Sequence, residues 1–180
     1  MKSLFDQTWL AGIKLKNRCF RSATNDGLAD ERGHMTEKLF KVYEDLARGG
    51  VAAIVTGLMY VTDLEQPYPG QMGIYDDSFL AEYEKLATMG HKYKAAIIAQ
   101  LAGLGSQTSS NAGKVMWGPS AIEDLGFKTV PKEMSVADIR LVQSAFAAAA
   151  LRAKKAGLDG VQMHVAHGYL LSKYPWATCI

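Results

Sequence analysis

The hydrophobic positions of the chain fall into two kinds of run that take turns along its length. Val51-Ala52-Ala53-Ile54-Val55-Thr56 and Ala95-Ala96-Ile97-Ile98-Ala99-Gln100-Leu101 are apolar almost without interruption over strand length, as strands covered on both faces are. Leu158 to His164 reads the same way, and Cys19-Phe20-Arg21-Ser22-Ala23-Thr24 is a first strand that ends in small and hydroxyl residues before Asn25-Asp26-Gly27 breaks it. Between these runs the apolar positions take up helical spacing. Thr36 is placed to N-cap a helix over about 37–48 with Leu39, Val42, Tyr43 and Leu46 on one stripe and Gly49-Gly50 as its stop. Asp76-Asp77-Ser78 caps a second helix running to about Lys92, and Ser135-Val136-Ala137-Asp138 opens a third that Gly157 ends.

Strands at about 19–24, 51–56, 95–101 and 160–164, joined by three amphipathic helices, give an α/β architecture with four parallel strands. Leu4 to Lys16 adds an N-terminal hairpin that lids one end of the core. A doubly wound sheet and a (β/α)8 barrel both fit this order. The first usually carries a Gly-rich turn after strand one, and Asn25-Asp26-Gly27-Leu28 is not GxGxxG. In a barrel, ligands gather at the C-terminal ends of the strands, where Asn25, Leu58, Gln100 and His164 to Tyr169 all fall. The expected fold is therefore the N-terminal half of a TIM barrel, one partial domain over 1–180 with a divergent tail from 173. Residues 102–133, rich in Gly, Ser and Pro, are expected to form a long functional loop without regular period.

Composition narrows the function classes. Twenty basic and 18 acidic side chains give a net charge of +2 without blocks of one sign, so neither a nucleic-acid nor a membrane footprint is expected. No apolar run reaches spanning length, no export signal is visible, and Cys19 and Cys179 form no CxxC motif. A reduced, cytoplasmic protein is the expectation.

The candidate chemistry sits in Met163-His164-Val165-Ala166-His167-Gly168-Tyr169-Leu170. If His164 ends the strand and His167 and Tyr169 lie in the following turn, two imidazoles and a phenol converge on one small volume. Such a cluster can hold an oxyanion and deliver a proton. The pattern also allows a satisfied strand-end histidine beside a half-buried tyrosine, and a metal site, for which no Cys or carboxylate close in sequence completes the shell.

Several stretches together resemble the old yellow enzyme family of FMN-dependent NADH:flavin oxidoreductases. They are Leu15-Lys16-Asn17-Arg18, Arg21-Ser22-Ala23-Thr24, Gly49-Gly50-Val51, Tyr68-Pro69-Gly70-Gln71, Pro119-Ser120-Ala121-Ile122 and His164-Val165-Ala166-His167-Gly168-Tyr169-Leu170-Leu171. The resemblance implies FMN at the barrel mouth, NADH or NADPH as reductant, and an alkene activated by a carbonyl or nitro group as the small-molecule substrate. It also implies roles. Ser22, Ala23, Thr24 and Asn25 would line the flavin, Gly57 and Leu58 would meet it with backbone, and Gln100 would bond its pyrimidine edge. His164 and His167 would bind the activating oxygen and Tyr169 would supply the proton, with no metal.

Departures from the family pattern qualify those expectations. Gly103-Leu104-Gly105-Ser106 stands where relatives carry a His-Ala-Gly-Arg-like sequence, so a cation is lost, and Asn25 stands where Cys or Thr is common. After Ser172 the pattern breaks, and the phosphate site of such barrels lies after strands seven and eight. Two functions are thus expected to compete: an ene-reductase-type oxidoreductase completed by a second copy or another half-barrel, and a catalytically incompetent half-barrel acting by association. A bare binding module for an aromatic ligand is a third.

Overall fold

The computed structural model describes residues 2–65, 68–108 and 114–174. A two-stranded antiparallel hairpin, β1 (Thr8–Leu10) and β2 (Ile13–Leu15), opens the chain. Ala11 and Gly12, both at positive φ, make its tight turn. The main sheet follows: β3 (Phe20–Arg21), β4 (Ala53–Tyr60), β5 (Met72–Gly73), β6 (Ala96–Ala102) and β9 (Gly160–Met163), all parallel. Its order is β3-β4-β6-β9, with β5 paired to the end of β4. The crossovers are α1 (Glu37–Arg48), α2 (Leu80–Lys92) and α3 (Val136–Lys155). Two short strands, β7 (Trp117–Gly118) and β8 (Lys132–Glu133), pair beside the sheet, and α4 (Leu170–Lys173) follows β9. This is the N-terminal half of a (β/α)8 barrel.

The crossover helices start where the capping chemistry puts them. Thr36 Oγ1 accepts the Leu39 N–H at 3.2 Å, and Ser135 forms a reciprocal box with Asp138. Asp76 caps a single 3₁₀ turn, Asp77–Phe79, that leads into α2.

The strands differ from expectation in ways that matter for the site. The first is confined to Phe20–Arg21 rather than 19–24, because Ser22 to Asn25 leave the ladder. The second, expected over about 51–56, starts at Ala53 and continues through Gly57 and Leu58 to Tyr60. A bulge allows this: Val55 pairs with Ile98 and Leu58 with Gln100, three steps against two. The third lies at Ala96–Ala102 and the fourth stops at Met163. The stretch 102–133 is not wholly irregular, since it contributes β7 and its pairing partner β8 begins at Lys132. The tail beyond Tyr174, with Cys179, lies outside the described residues.

The bulge also sets which side chains share a face. On the helix-covered face Ile54, Met59, Ile97, Ala99 and Leu101 pack with Leu39, Tyr43, Phe79, Tyr83, Leu86 and Phe146. The other face is stratified. Its lower part is aliphatic, with Ala53, Val55, Ala96 and Ile98 stoppered by Leu15 of the hairpin. Its middle row is Leu58, Gln100 and Gln162, paired in register. Above it, Leu58, Ala102 and Leu104 collect Tyr68 and Tyr169. With unbroken alternation through β4, Leu58 would turn to the helices and this row would have no third side chain.

Candidate active site

At the end of β9 the chain leaves the sheet with a final ladder bond, His164 N–H to Leu101 O at 2.9 Å. The turn that follows needs left-handed backbone at two successive positions, His167 (φ 59°) and Gly168 (φ 73°). The first is costly for a residue with a Cβ, and such strain concentrates at functional sites. Its effect is to fold the turn back over the strand end. The His164 ring lies 5.0 Å from that of His167 and 4.7 Å from that of Tyr169, and His167 and Tyr169 are 6.0 Å apart. All three contacts are edge-to-face.

Electrostatics fix the state of His164. Burial, and secondly the neighbouring His167, push its pKa below the ordinary histidine value, so the ring is neutral at physiological pH. Its Nδ1 accepts the Ala166 N–H at 3.3 Å, which leaves the ring proton on Nε2. A neutral imidazole with a committed Nε2–H is a donor suited to a developing oxyanion. Tyr68 flanks the cluster with its ring 6.5 Å from that of Tyr169, and its hydroxyl donates to Gln107 O at 2.5 Å. Burial and the coupling to Tyr169 push the Tyr68 phenol well above its usual range, so it stays a donor. Among the described residues, no group of three or more His, Cys, Asp or Glu side chains converges as metal ligands do.

Below this cluster Gln100 Nε2 donates to Gln162 Oε1 at 2.7 Å. That bond leaves Gln100 Oε1 as an acceptor beside Gln162 Nε2 as a donor, a pair complementary to a ring edge that alternates N–H and carbonyl. The donor set therefore fits a flavin pyrimidine. Gln100 was expected from the sequence. Gln162 was not singled out, although a polar residue inside an apolar strand was the available signal.

Ser22, Ala23, Thr24 and Asn25 form a segment held at both ends. Arg21 Nη2 donates to Asp26 Oδ1 at 2.6 Å, bracketing the four residues. The other Asp26 oxygen accepts from Tyr43 Oη at 2.6 Å, and Tyr43 Oη accepts the Gly57 N–H at 2.9 Å. A Cβ at Gly57 would lie 2.8 Å from Thr24 O and 2.9 Å from Asp26 Oδ2, so glycine is what lets the segment lie against β4. Gly57 has its N–H committed to Tyr43 and its carbonyl to Thr56 Oγ1. Leu58, next to Gly57, presents its side chain beside Tyr68 and Tyr169. Asn25, Leu58 and Gln71 share a narrow cleft, and Gln71 Nε2 is buried there without a hydrogen-bond partner. Asp26, Tyr43, Tyr68 and Gln71 were not expected as site residues; Asp26, Tyr43 and Tyr68 act through partners distant in sequence, whereas the Gln71 side chain accepts the nearby Tyr68 N–H at 2.9 Å.

A family model for NADH:flavin oxidoreductases and NADH oxidases matches residues 3–176. The NADH oxidase of Thermoanaerobacter brockii is 31% identical over 180 residues, which cover 96% of this chain and 27% of that protein. The NADPH dehydrogenase of Geobacillus thermodenitrificans is 34% identical over 172 residues, covering 95% and 50% respectively. Among solved structures, the Old Yellow Enzyme of Pichia sp. AKU4542 superposes with a TM-score of 0.90 at 24% identity, over 97% of this chain and 49% of that one, and so shares the fold. The old yellow enzyme homologue from Zymomonas mobilis gives 0.86 at 27% identity, over 94% and 50%. The chain thus spans half or less of the length of these relatives.

Proposed function

Since the chain belongs to the NADH:flavin oxidoreductase / NADH oxidase family, we propose that it carries the flavin- and substrate-facing half of an FMN-dependent ene-reductase that uses NADH or NADPH. The observation that supports this reading best is the stacking, on one face, of an amide pair beneath a His–His–Tyr cluster. The amides offer the complement of a flavin edge, and the rings offer the complement of an enone oxygen.

Gln100 and Gln162 would hold the FMN pyrimidine, Ser22 to Asn25 would line its ring, and Leu58 would close one side. When bound, FMN supplies a hydride acceptor for the nicotinamide and a hydride donor for the alkene β-carbon. The chain's own contribution is acid chemistry. Charge that moves onto the carbonyl or nitro oxygen is met by Nε2–H of neutral His164 and by His167. Tyr169 hands its hydroxyl proton to the α-carbon, and Tyr68 beside it stays protonated with its hydroxyl held on Gln107 O. Among the described residues no helix is long and apolar enough to cross a membrane.

The test is FMN titration followed by titration with a phenolic ligand that mimics the enone oxygen. Joint replacement His164→Ala and His167→Ala should abolish ligand binding and spare FMN, while Gln100→Ala should weaken FMN. Undiminished ligand binding in the double variant overturns the assignment. A second reading, a half-barrel acting by association, draws support from the exposed side chains of β9. It predicts no FMN binding at all.

A further inference from the structure

Asp124, in the excursion between β7 and β8, collects five donors on one carboxylate. Oδ2 accepts from Ser106 Oγ at 3.1 Å, Gln107 Nε2 at 3.0 Å and Lys173 Nζ at 3.2 Å. Oδ1 accepts the N–H groups of Gly126 at 3.0 Å and Phe127 at 3.1 Å. Lys173 Nζ also donates to Ser106 Oγ. Asp124 is 5% exposed at its side chain and Lys173 20%. An ion pair at this depth is weak evidence for net stability, because desolvation offsets much of the attraction. What it does supply is a fixed geometry for the elements it joins, here the segment after β6, the excursion and α4.

Those elements flank Tyr169 on both sides. On one side Gly168 lies directly against the Gln107 carboxamide: a Cβ there would be 2.9 Å from Nε2, the atom Asp124 holds. The Gln107 carbonyl in turn holds the Tyr68 hydroxyl, and the Tyr68 ring stands 6.5 Å from those of both Tyr169 and Phe127. On the other side α4 begins with Leu170 N–H donating to Gly103 O at 3.0 Å and ends with Lys173 on Asp124. Tyr169 is thus strung between two ties that both lead to one carboxylate.

We propose that Asp124, with Lys173, is the positioning residue of Tyr169: a latch that clamps the Gly168–Lys173 turn to the 104–107 segment and so sets where the phenol sits. The proposal rests on the reading of Tyr169 as the proton donor. The argument for position over bulk stability is that proton delivery depends steeply on placement, an error of about 1 Å costing on the order of 10²-fold in rate, whereas a buried ion pair adds little net stability.

The experiment uses Asp124→Asn, which keeps the shape and loses the charge, Lys173→Met, which keeps the stem and loses the ammonium, and Lys173→Arg as conservative rescue. Amide hydrogen exchange on the full chain is compared at Leu170 and Ser172 and at the β4–β6 ladder, and both flavin half-reactions are measured. Exchange at Leu170 and Ser172 should rise about tenfold or more in the first two variants with the ladder unchanged. Alkene-dependent reoxidation should fall on the order of 10²-fold with flavin reduction by nicotinamide intact, and Lys173→Arg should recover part of both. Unchanged exchange at Leu170 and Ser172 overturns the latch, and equal losses in both half-reactions overturn the positioning role. Should Asp124→Asn fail to fold, Lys173→Met decides, since it leaves the bonds to Gly126 and Phe127 in place. A parent chain with no flavin turnover defeats the proposed function, and the exchange arm then still decides the latch.

Discussion

Glu65 shows how far a single side chain can be held from its ordinary chemistry. It is 2% exposed, and burial pushes its carboxyl up to about 7 even though the Gly105 N–H at 3.0 Å and the Leu104 N–H favour the charged form. A carboxyl raised on folding favours the protonated native state. Its contribution is therefore fully present below the unfolded value of 4.5 and lost as pH rises through about 7. The span corresponds to about 3 kcal/mol. Urea denaturation should show Glu65→Gln abolishing the decline in stability across that window; an unchanged slope would place the coupling elsewhere. Tyr169 carries the parallel prediction for catalysis: Tyr169→Phe should slow reoxidation by alkene about 10²-fold and leave flavin reduction alone, as stopped-flow absorbance would report. The His164, His167 and Tyr169 cluster is legible in the sequence because its members lie within six residues. Gln162, Tyr68 and Asp124 are not, since the partners that give them meaning lie 62, 39 and up to 49 residues away.

At the scale of elements, the three long helices are read from sequence because caps and period agree: Thr36, Asp76 and Ser135 each accept a backbone N–H where expected. Strands β5, β7 and β8 are two residues long and contain no period to read. The end of β4 is hidden for another reason. Gly57 interrupts the apolar run that marks Val51 to Thr56 as strand, and a glycine there reads as a break although the strand continues to Tyr60 through a bulge. Gly57 is also where β4 meets the 22–26 segment, and Gly57→Ala would drive a methyl onto Thr24 O and the Asp26 carboxylate. The expected cost is about 1–3 kcal/mol, seen as a lower denaturation midpoint. An unaltered midpoint would mean that the segment yields freely.

For the molecule as a whole, the exposed members of the sheet lie at its edges. Among the described residues β3 and β9 each pair on one side only, and Phe20, Val161 and Met163 are 42%, 41% and 44% exposed. Unpaired strands with apolar side chains recruit partners. Sedimentation velocity on the 180-residue chain should show species larger than the 19.6 kDa monomer, and Val161→Lys with Met163→Lys should shift the distribution toward monomer. A single monomeric boundary for the parent chain would refute this. The interior tells a different story, for the buried core and the residues proposed to line the flavin are different. Phe79, Tyr83, Leu86 and Ile97 are fully buried with the helices, whereas Ser22, Thr24 and Asn25 are exposed, with a side-chain bond from Thr24 to Ser22 O. The Arg21–Asp26 pair closes around them like the two ends of a cassette. What lies inside is open to exchange without disturbing the frame, so, on the proposed function, the surroundings of the flavin can be retuned by substitution within the bracket while the bracket itself stays as it is.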